Sequence, residues 1–170
     1  MVQKYKSVIL GDVVTLKQLS PEHFESYHTM FSPIVREAVG IPKEQTLEET
    51  KKFLAKKVAE IQENKALFYC IFDNATNLLI GSIEMREPGF ENGQLGCWIN
   101  EYYWGHNRYQ EALDLLLKEY FKKAGFDEVN VYIKQENIRS VKAHQKYGFT
   151  IVREFEKDGT LFYELIIKNR

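Results

Sequence analysis

QLGCWINEYYWGHNRYQEALDLLLKEYF, residues 94–121, runs from strand to loop to helix. GQLGCWIN reads as a strand and EYYWGHN as a loop. Ala112, Leu113, Leu116, Leu117, Tyr120 and Phe121 then recur at helical spacing, with Asp114, Lys118, Lys122 and Lys123 on the other side, so a helix is expected over 107–124 with Gly125 ending it. A helix that opens straight after a loop turns its unpaired N–H groups and positive dipole end toward that loop, which suits an anion. A backbone that wraps an anion normally draws on several glycines for left-handed dihedrals and close approach. Only Gly105 is present here.

Working outward, EVNVYIKQ reads as a strand and NIRSVKAHQKYG as a short helix closed by Gly148. The resulting strand, helix, strand succession predicts a right-handed crossover between parallel neighbours. IVREFEKDGTLFYELII is a closing hairpin, because Asp158-Gly159 between two alternating runs suits a type I′ turn. Upstream, ALFYCIFD and LLIGSIEMRE form a hairpin across NATN, and residues 8–18 hold one or two short strands broken at Gly11-Asp12. Ser20 caps a helix with Pro21 at its first position, running to about Phe31. Thr46 and Glu49 form a capping box ahead of Leu47, Leu54, Val58 and Ile61 at helical spacing. SPIVREAVGIPKEQ between these helices reads as irregular with a short helical turn, and as a pocket lining.

With 170 residues, 44% of them hydrophobic, the chain suits one domain. Lys and Arg number 23 against 24 Asp and Glu, a formal net charge of −1 that gives no basic field for nucleic acid or an anionic membrane. Cys70 and Cys97 lie in apolar strand-like runs and read as buried thiols of a reducing compartment. No metal-ligand spacing, cleavable leader or membrane span is visible, so the cytoplasm is the expected location. Asn74-Ala75-Thr76 fits a glycosylation sequon but reads as a turn.

Two stretches, QLGCWINEYYWGHNRYQEAL and ENIRSVKAHQKYGFTIVREF, resemble the GNAT superfamily of acetyl-CoA-dependent N-acetyltransferases. The likeness is to the branch that includes ribosomal-protein N-terminal acetyltransferases, and it is good from about Ile80 to Phe155. Asn137, Ser140, Lys146, Gly148 and Phe149 fall where that family has N-x-x-S-x-x-x-x-x-K-x-G-F. The resemblance implies an α/β, GNAT-like fold over 1–170: a mixed, mostly antiparallel central sheet with one parallel β-α-β crossover and helices on both faces. It also implies acetyl-CoA as co-substrate and a primary amine, a protein or peptide N-terminus or a small molecule, as acceptor in a ternary complex.

The family's cofactor loop, Q/R-x-x-G-x-G/A, falls on Trp104 to Tyr109, with Asn107 replacing the middle glycine and Tyr109 the terminal small residue. Asn tolerates left-handed dihedrals. Tyr109 either occupies the volume a diphosphate needs or turns away and leaves the amides free. The implied coenzyme-binding set is Cys97, Trp98 and Ile99 on a strand splayed from its parallel neighbour, then Trp104, Gly105, His106, Asn107, Arg108 and Tyr109 in the loop, with Asn137 and Ser140 beyond. His106 and Arg108 add phosphate donors. Gly96 suits close approach of the coenzyme or marks an ordinary bulge.

Asn137 is a pantetheine ligand, a plain N-cap or both. Ser140 meets the coenzyme or departing sulfur, or faces solvent. His144 stands where many relatives have a Tyr that protonates the leaving thiolate; it is a proton donor or a surface His among Lys142, Gln145 and Lys146. Asn137, Ser140 and His144 share one helix face. Glu84 and His28 are the candidate bases, and Gln94 stands where the branch often has a Glu, which a glutamine cannot replace as a base. The acceptor pocket is expected from residues 20–46 and the closing hairpin. A strand edge near the C-terminus offers pairing into a homodimer. The competing expectation is a GNAT-fold binding or regulatory module with weakened or lost coenzyme A binding.

Overall fold

The computed structural model describes residues 5–86, 93–124 and 127–169. The strands are β1 (Val8–Leu10), β2 (Val14–Gln18), β3 (Ala66–Asp73), β4 (Leu79–Arg86), β5 (Gly93–Ile99), β6 (Glu128–Lys134), β7 (Thr150–Lys157) and β8 (Thr160–Lys168). They form one sheet ordered β1-β2-β3-β4-β5-β6-β8-β7. Every neighbouring pair is antiparallel except β5 with β6. The helices are α1 (Phe24–Met30), α2 (Pro33–Val39), α3 (Leu47–Gln62), α4 (Arg108–Ala124) and α5 (Ile138–Tyr147).

Alternation along the central strands divides the core into two layers. On β3, Leu67, Tyr69 and Ile71 face a cluster that includes Leu113, Leu116, Leu117 and Tyr120 of α4 and Val141 of α5. Phe68 and Cys70 face the opposite layer, with Tyr27 of α1, Phe31 just beyond it, Val35 of α2 and Leu54 of α3. Helices therefore cover both faces. The apolar stripe read from the sequence of α4 is buried as expected: Ala112, Leu113, Leu116 and Tyr120 have no exposed surface.

Local chemistry sets most boundaries. The Thr46 hydroxyl accepts from the Glu49 N–H while Glu49 Oε2 accepts from the Thr46 N–H, which starts α3. Asn137 Oδ1 accepts from the Ser140 N–H at the start of α5. Asp158 and Gly159 both hold positive φ, 51° and 76°, in the tight turn between β7 and β8. Asn74 sits in the β3–β4 turn, where its amide donates to the Gly11 carbonyl and its Oδ1 accepts from Thr15. Gly125, expected to end α4, lies outside the described residues.

Residues 33–39 are more regular than expected: the segment read as irregular with a short helical turn forms the two-turn helix α2. Ser32 Oγ accepts from the Val35 N–H, Pro33 opens the helix, and Gly40 closes it at φ 80°. The apolar pattern is concealed because Arg36 is buried, its Nε donating to the Phe31 carbonyl and one terminal nitrogen to Gln45 Oε1. β7 is the outer strand at the C-terminal side of the sheet. No helix among the described residues is long and apolar enough to cross a membrane.

Candidate active site

The parallel pair is brief. Among the described residues, β5 and β6 register at Gly93 with Val129 and Gln94 with Asn130 alone. From Leu95 to Ile99, β5 keeps its ladder to β4 while β6 keeps its own to β8. The strands thus part in the middle of the sheet, where the fold leaves main-chain groups of β5 without a second strand. Two clefts meet at this parting, and Cys97, Trp98, Asn137 and Ser140 line both.

The first cleft, about 540 Å³, lies between the loop before α4 and the first turns of α5. It brings together the whole expected coenzyme set, from Cys97, Trp98 and Ile99 through Trp104 to Tyr109 and on to Asn137 and Ser140. Gly105, His106 and Asn107 all have positive φ, at 91°, 51° and 62°. That run bends the main chain into the entrance of a 17-residue helix without a glycine at each position. Asn107 takes the left-handed conformation its side chain tolerates; His106 takes it too, which residue type alone did not suggest.

Several side chains at the cleft also have partners within the fold. Arg108, which lines the cleft, donates through Nε to the buried Asp73 Oδ1 at 2.8 Å, and another of its nitrogens donates to the Tyr103 carbonyl. Burial alone would raise the Asp73 carboxyl, but hydrogen bonds from Arg108 and Thr76 outweigh it and hold the group below the usual carboxylate value. Trp104 donates its indole N–H to the Ile99 carbonyl, and Arg139 lies over its ring at 3.6 Å. Among the described residues the cleft lining contains no Asp or Glu, while Arg139, Lys142 and Lys146 come to it from α5. These three cations were not expected at the site; their i, i+3, i+7 spacing, which puts them on one helix face, was the signal available in the sequence.

Tyr109 packs against the main core, and its hydroxyl meets His144 Nε2 across the gap between α4 and α5. His144 is 3% exposed, so it is neither a surface residue nor amid solvent with its lysine neighbours. Its Nδ1 lies 2.8 Å from the Ser140 carbonyl, which can only accept, so the ring proton sits on Nδ1 and Nε2 receives the phenol O–H. Burial pushes the imidazole down to about 4, against a weaker upward pull from the Ser140 carbonyl. In this arrangement Nδ1–H faces the Ser140 carbonyl and Nε2 faces the Tyr109 hydroxyl, so both ring nitrogens of His144 have partners within the fold.

The second cleft, about 770 Å³, opens on the α1–α3 side and runs to the closing hairpin. Its lining includes Glu84, Gln94, Ser140, His144 and Phe53, together with Gln45 from the 20–46 segment and Arg153 and Phe162 from the closing hairpin, the two regions from which an acceptor pocket was expected. Glu84 is 8% exposed rather than solvated. Its Oε1 accepts from Arg86, whereas Oε2 accepts no hydrogen bond among the described residues and has Lys57 Nζ 3.9 Å away. Gly96 pairs in register with Glu84, so no bulge occurs there. A Cβ at Gly96 would lie 2.9 Å from Arg86 and 3.1 Å from Glu84 Oε1, so the glycine makes room for that ion pair. His28 lies outside both linings, its Nδ1 against the Thr50 hydroxyl at 2.7 Å.

Residues 14–150 match the sequence profile of the acetyltransferase (GNAT) domain. The chain belongs to the GNAT family. A Bacillus subtilis protein described as an SPbeta prophage-derived uncharacterized N-acetyltransferase, YokL, is 23% identical over 141 residues, covering 82% of this chain and 77% of that one. A Methanocaldococcus jannaschii protein of unknown role is 30% identical over 78 residues, 45% of this chain but only 16% of its own length. Among solved structures, the Salmonella typhimurium acetyl transferase described as modifying the N-terminal serine of L7/L12 superposes with TM-score 0.82 at 17% identity, over 96% of this chain and 99% of that one. Spermidine N-acetyltransferase from Vibrio cholerae, solved with CoA and spermine, gives 0.79 at 16% identity over 94% and 97%. Such identities establish a shared fold.

Within the GNAT fold, the 540 Å³ cleft suits a coenzyme with several phosphates: an αL-bent main chain, a helix entrance and a lining rich in cations but free of carboxylates. Tyr109 does not contradict that fit, because its hydroxyl is drawn to His144.

Proposed function

We propose that the protein transfers the acetyl group of acetyl-CoA to a primary amine, both held in one ternary complex. The observation that carries this reading is the junction of two unlike clefts, one cationic and free of carboxylates, the other holding Glu84, where β5 parts from β6. The loop 104–109 and the first turn of α4 supply main-chain N–H donors for the diphosphate, with Arg139, Lys142 and Lys146 adding charge along α5. Coenzyme A supplies the acetyl thioester. Main-chain groups of β5 freed by the parting suit the thioester oxygen as charge develops there. Glu84 Oε2, unpaired by any hydrogen bond, receives the proton of the incoming ammonium, so that the free amine can attack. Alignment of the two substrates is the larger contribution, up to about 7–11 kcal/mol in well-oriented systems.

The acceptor cleft extends from the α2–α3 segment to Phe155, Lys157 and Phe162, long enough for a peptide N-terminus to lie along it. Proteins resembling this chain include enzymes described as acting on ribosomal proteins and on spermidine, which frames the choice of acceptors. A cytoplasmic setting supplies both acetyl-CoA and such amines. The test is release of coenzyme thiol from acetyl-CoA in the presence of a panel of free-amino-terminal peptides and of spermidine. Release that depends on one of these amines is expected. Tight coenzyme binding with no release for any amine would leave a coenzyme-binding regulatory module instead.

A further inference from the structure

The groups at the meeting of the two clefts differ in what they can do with a proton. His144 is neutral with Nδ1–H bound to the Ser140 carbonyl. Glu84 and Arg86 face the acceptor side. Tyr109 lines the coenzyme cleft but not the acceptor cleft, whereas His144 lines the acceptor cleft but not the coenzyme cleft. Their hydrogen bond therefore lies in the partition, beside Cys97, Ser140 and Asn137, which line both sides. Cys97 is also an electrostatic neighbour of the phenol and belongs to the stretch of β5 that has left β6. Tyr147, the other phenol nearby, donates to Asp114 and lines neither cleft.

From this arrangement we infer that Tyr109 is the proton donor to the departing coenzyme sulfur, and that His144 is the residue that positions it. The inference rests on the acetyl-transfer reading. As the amine nitrogen bonds to the acetyl carbon, the carbon–sulfur bond breaks and its electron pair goes to sulfur. The phenol proton then leaves His144 Nε2 for sulfur, giving the free thiol. The incoming ammonium loses one proton to Glu84 and thence to water before attack; after attack the nitrogen loses a second, which returns by way of water to the phenolate, so one proton is released per turnover and both Glu84 and Tyr109 are restored. Two departures in the sequence then explain each other: a bulky residue at the end of the cofactor loop and a histidine on α5 are the two halves of one hydrogen bond. The phenol reaches the junction from the first turn of α4, and the imidazole provides its acceptor from α5.

The inference is tested with Tyr109→Phe, which keeps the ring and removes only the hydroxyl, in thiol-release assays and in calorimetric titrations with coenzyme A and with desulfo-coenzyme A. Turnover is expected to fall about 10²- to 10⁴-fold, the usual worth of a positioned acid. Affinity for desulfo-coenzyme A should stay within about twofold of wild type, no more than the low end of one hydrogen bond. Wild-type protein should bind coenzyme A roughly 2- to 10-fold more tightly than the desulfo form, the value of one hydrogen bond to sulfur, and Tyr109→Phe should erase that difference. The double change Tyr109→Ala with His144→Tyr, which returns the phenol from α5, should recover turnover relative to Tyr109→Phe. Unchanged turnover in Tyr109→Phe, or a loss of turnover matched by an equal loss of affinity for desulfo-coenzyme A, would overturn the assignment. Wild-type protein that releases no thiol with any amine would sink the transferase reading itself, and this inference with it.

Discussion

Tyr109 is tolerated at the entrance of α4 because a partner waits for it: the hydroxyl reaches His144, whose other nitrogen is held by the Ser140 carbonyl. Sequence alone named both residues, but not their contact, since they stand 35 residues apart on different helices and no local pattern links them. The buried imidazole carries a measurable signature. Its folded value, about 4, lies below the ordinary value of 6.5, so its contribution is fully present above pH 6.5 and is lost as pH falls toward 4. That loss is about 3 kcal/mol from the shift alone. Urea denaturation at pH 7 and pH 4 should show His144→Gln losing about that much less stability than wild type across the interval. Asp73 offers a second test, being 1% exposed with Arg108 as its ion-pair partner at 2.8 Å. Asp73→Ala leaves a largely buried guanidinium uncompensated and should cost about 3–5 kcal/mol in urea denaturation. Arg108 was legible as a cation near the loop but not as a structural one, because its partner comes from the far end of β3.

Elements with short-range signals were readable, and those whose identity depends on a distant partner were not. The Thr46–Glu49 box, the Asp158-Gly159 turn and the Asn137 cap each act within three residues, so their chemistry is visible in sequence. α2 carried Ser32, Pro33 and Gly40 as boundary signals, yet Arg36 on its buried side hid the apolar stripe. The brief register of β5 with β6 was expected only through family likeness; nothing in the alternation of GQLGCWIN states where pairing stops. Thr46→Ala should cost about 1 kcal/mol of stability through loss of the cap and leave coenzyme affinity unchanged, since Thr46 lines neither cleft. Asn137→Ala should cost a similar amount of stability and also weaken the coenzyme, because the same side chain caps α5 and lines the cleft. Parallel chemical denaturation and calorimetry separate the two effects.

Over the whole molecule, a net charge of −1 conceals a division of charge. Glu111 is drawn away from the α4 entrance by the N–H groups of Asp12, Val13 and Val14, while Arg139, Lys142 and Lys146 are gathered on the coenzyme side and Glu84 on the acceptor side. Exposed cations contribute little singly, about 0–1 kcal/mol, so Lys142→Glu with Lys146→Glu should weaken coenzyme binding roughly tenfold at low salt and less at high salt. The claim beneath all of this is that the main chain at 105–107 and the entrance of α4 grip a diphosphate although Tyr109 stands beside them. Calorimetric titration of wild-type protein with coenzyme A tests it most directly. Saturable one-to-one binding in roughly the micromolar range, about −8 kcal/mol, that weakens with added salt is the predicted result. No binding heat at any salt concentration, with a crystal grown in coenzyme A showing the Tyr109 ring swung from His144 into the loop, would contradict it.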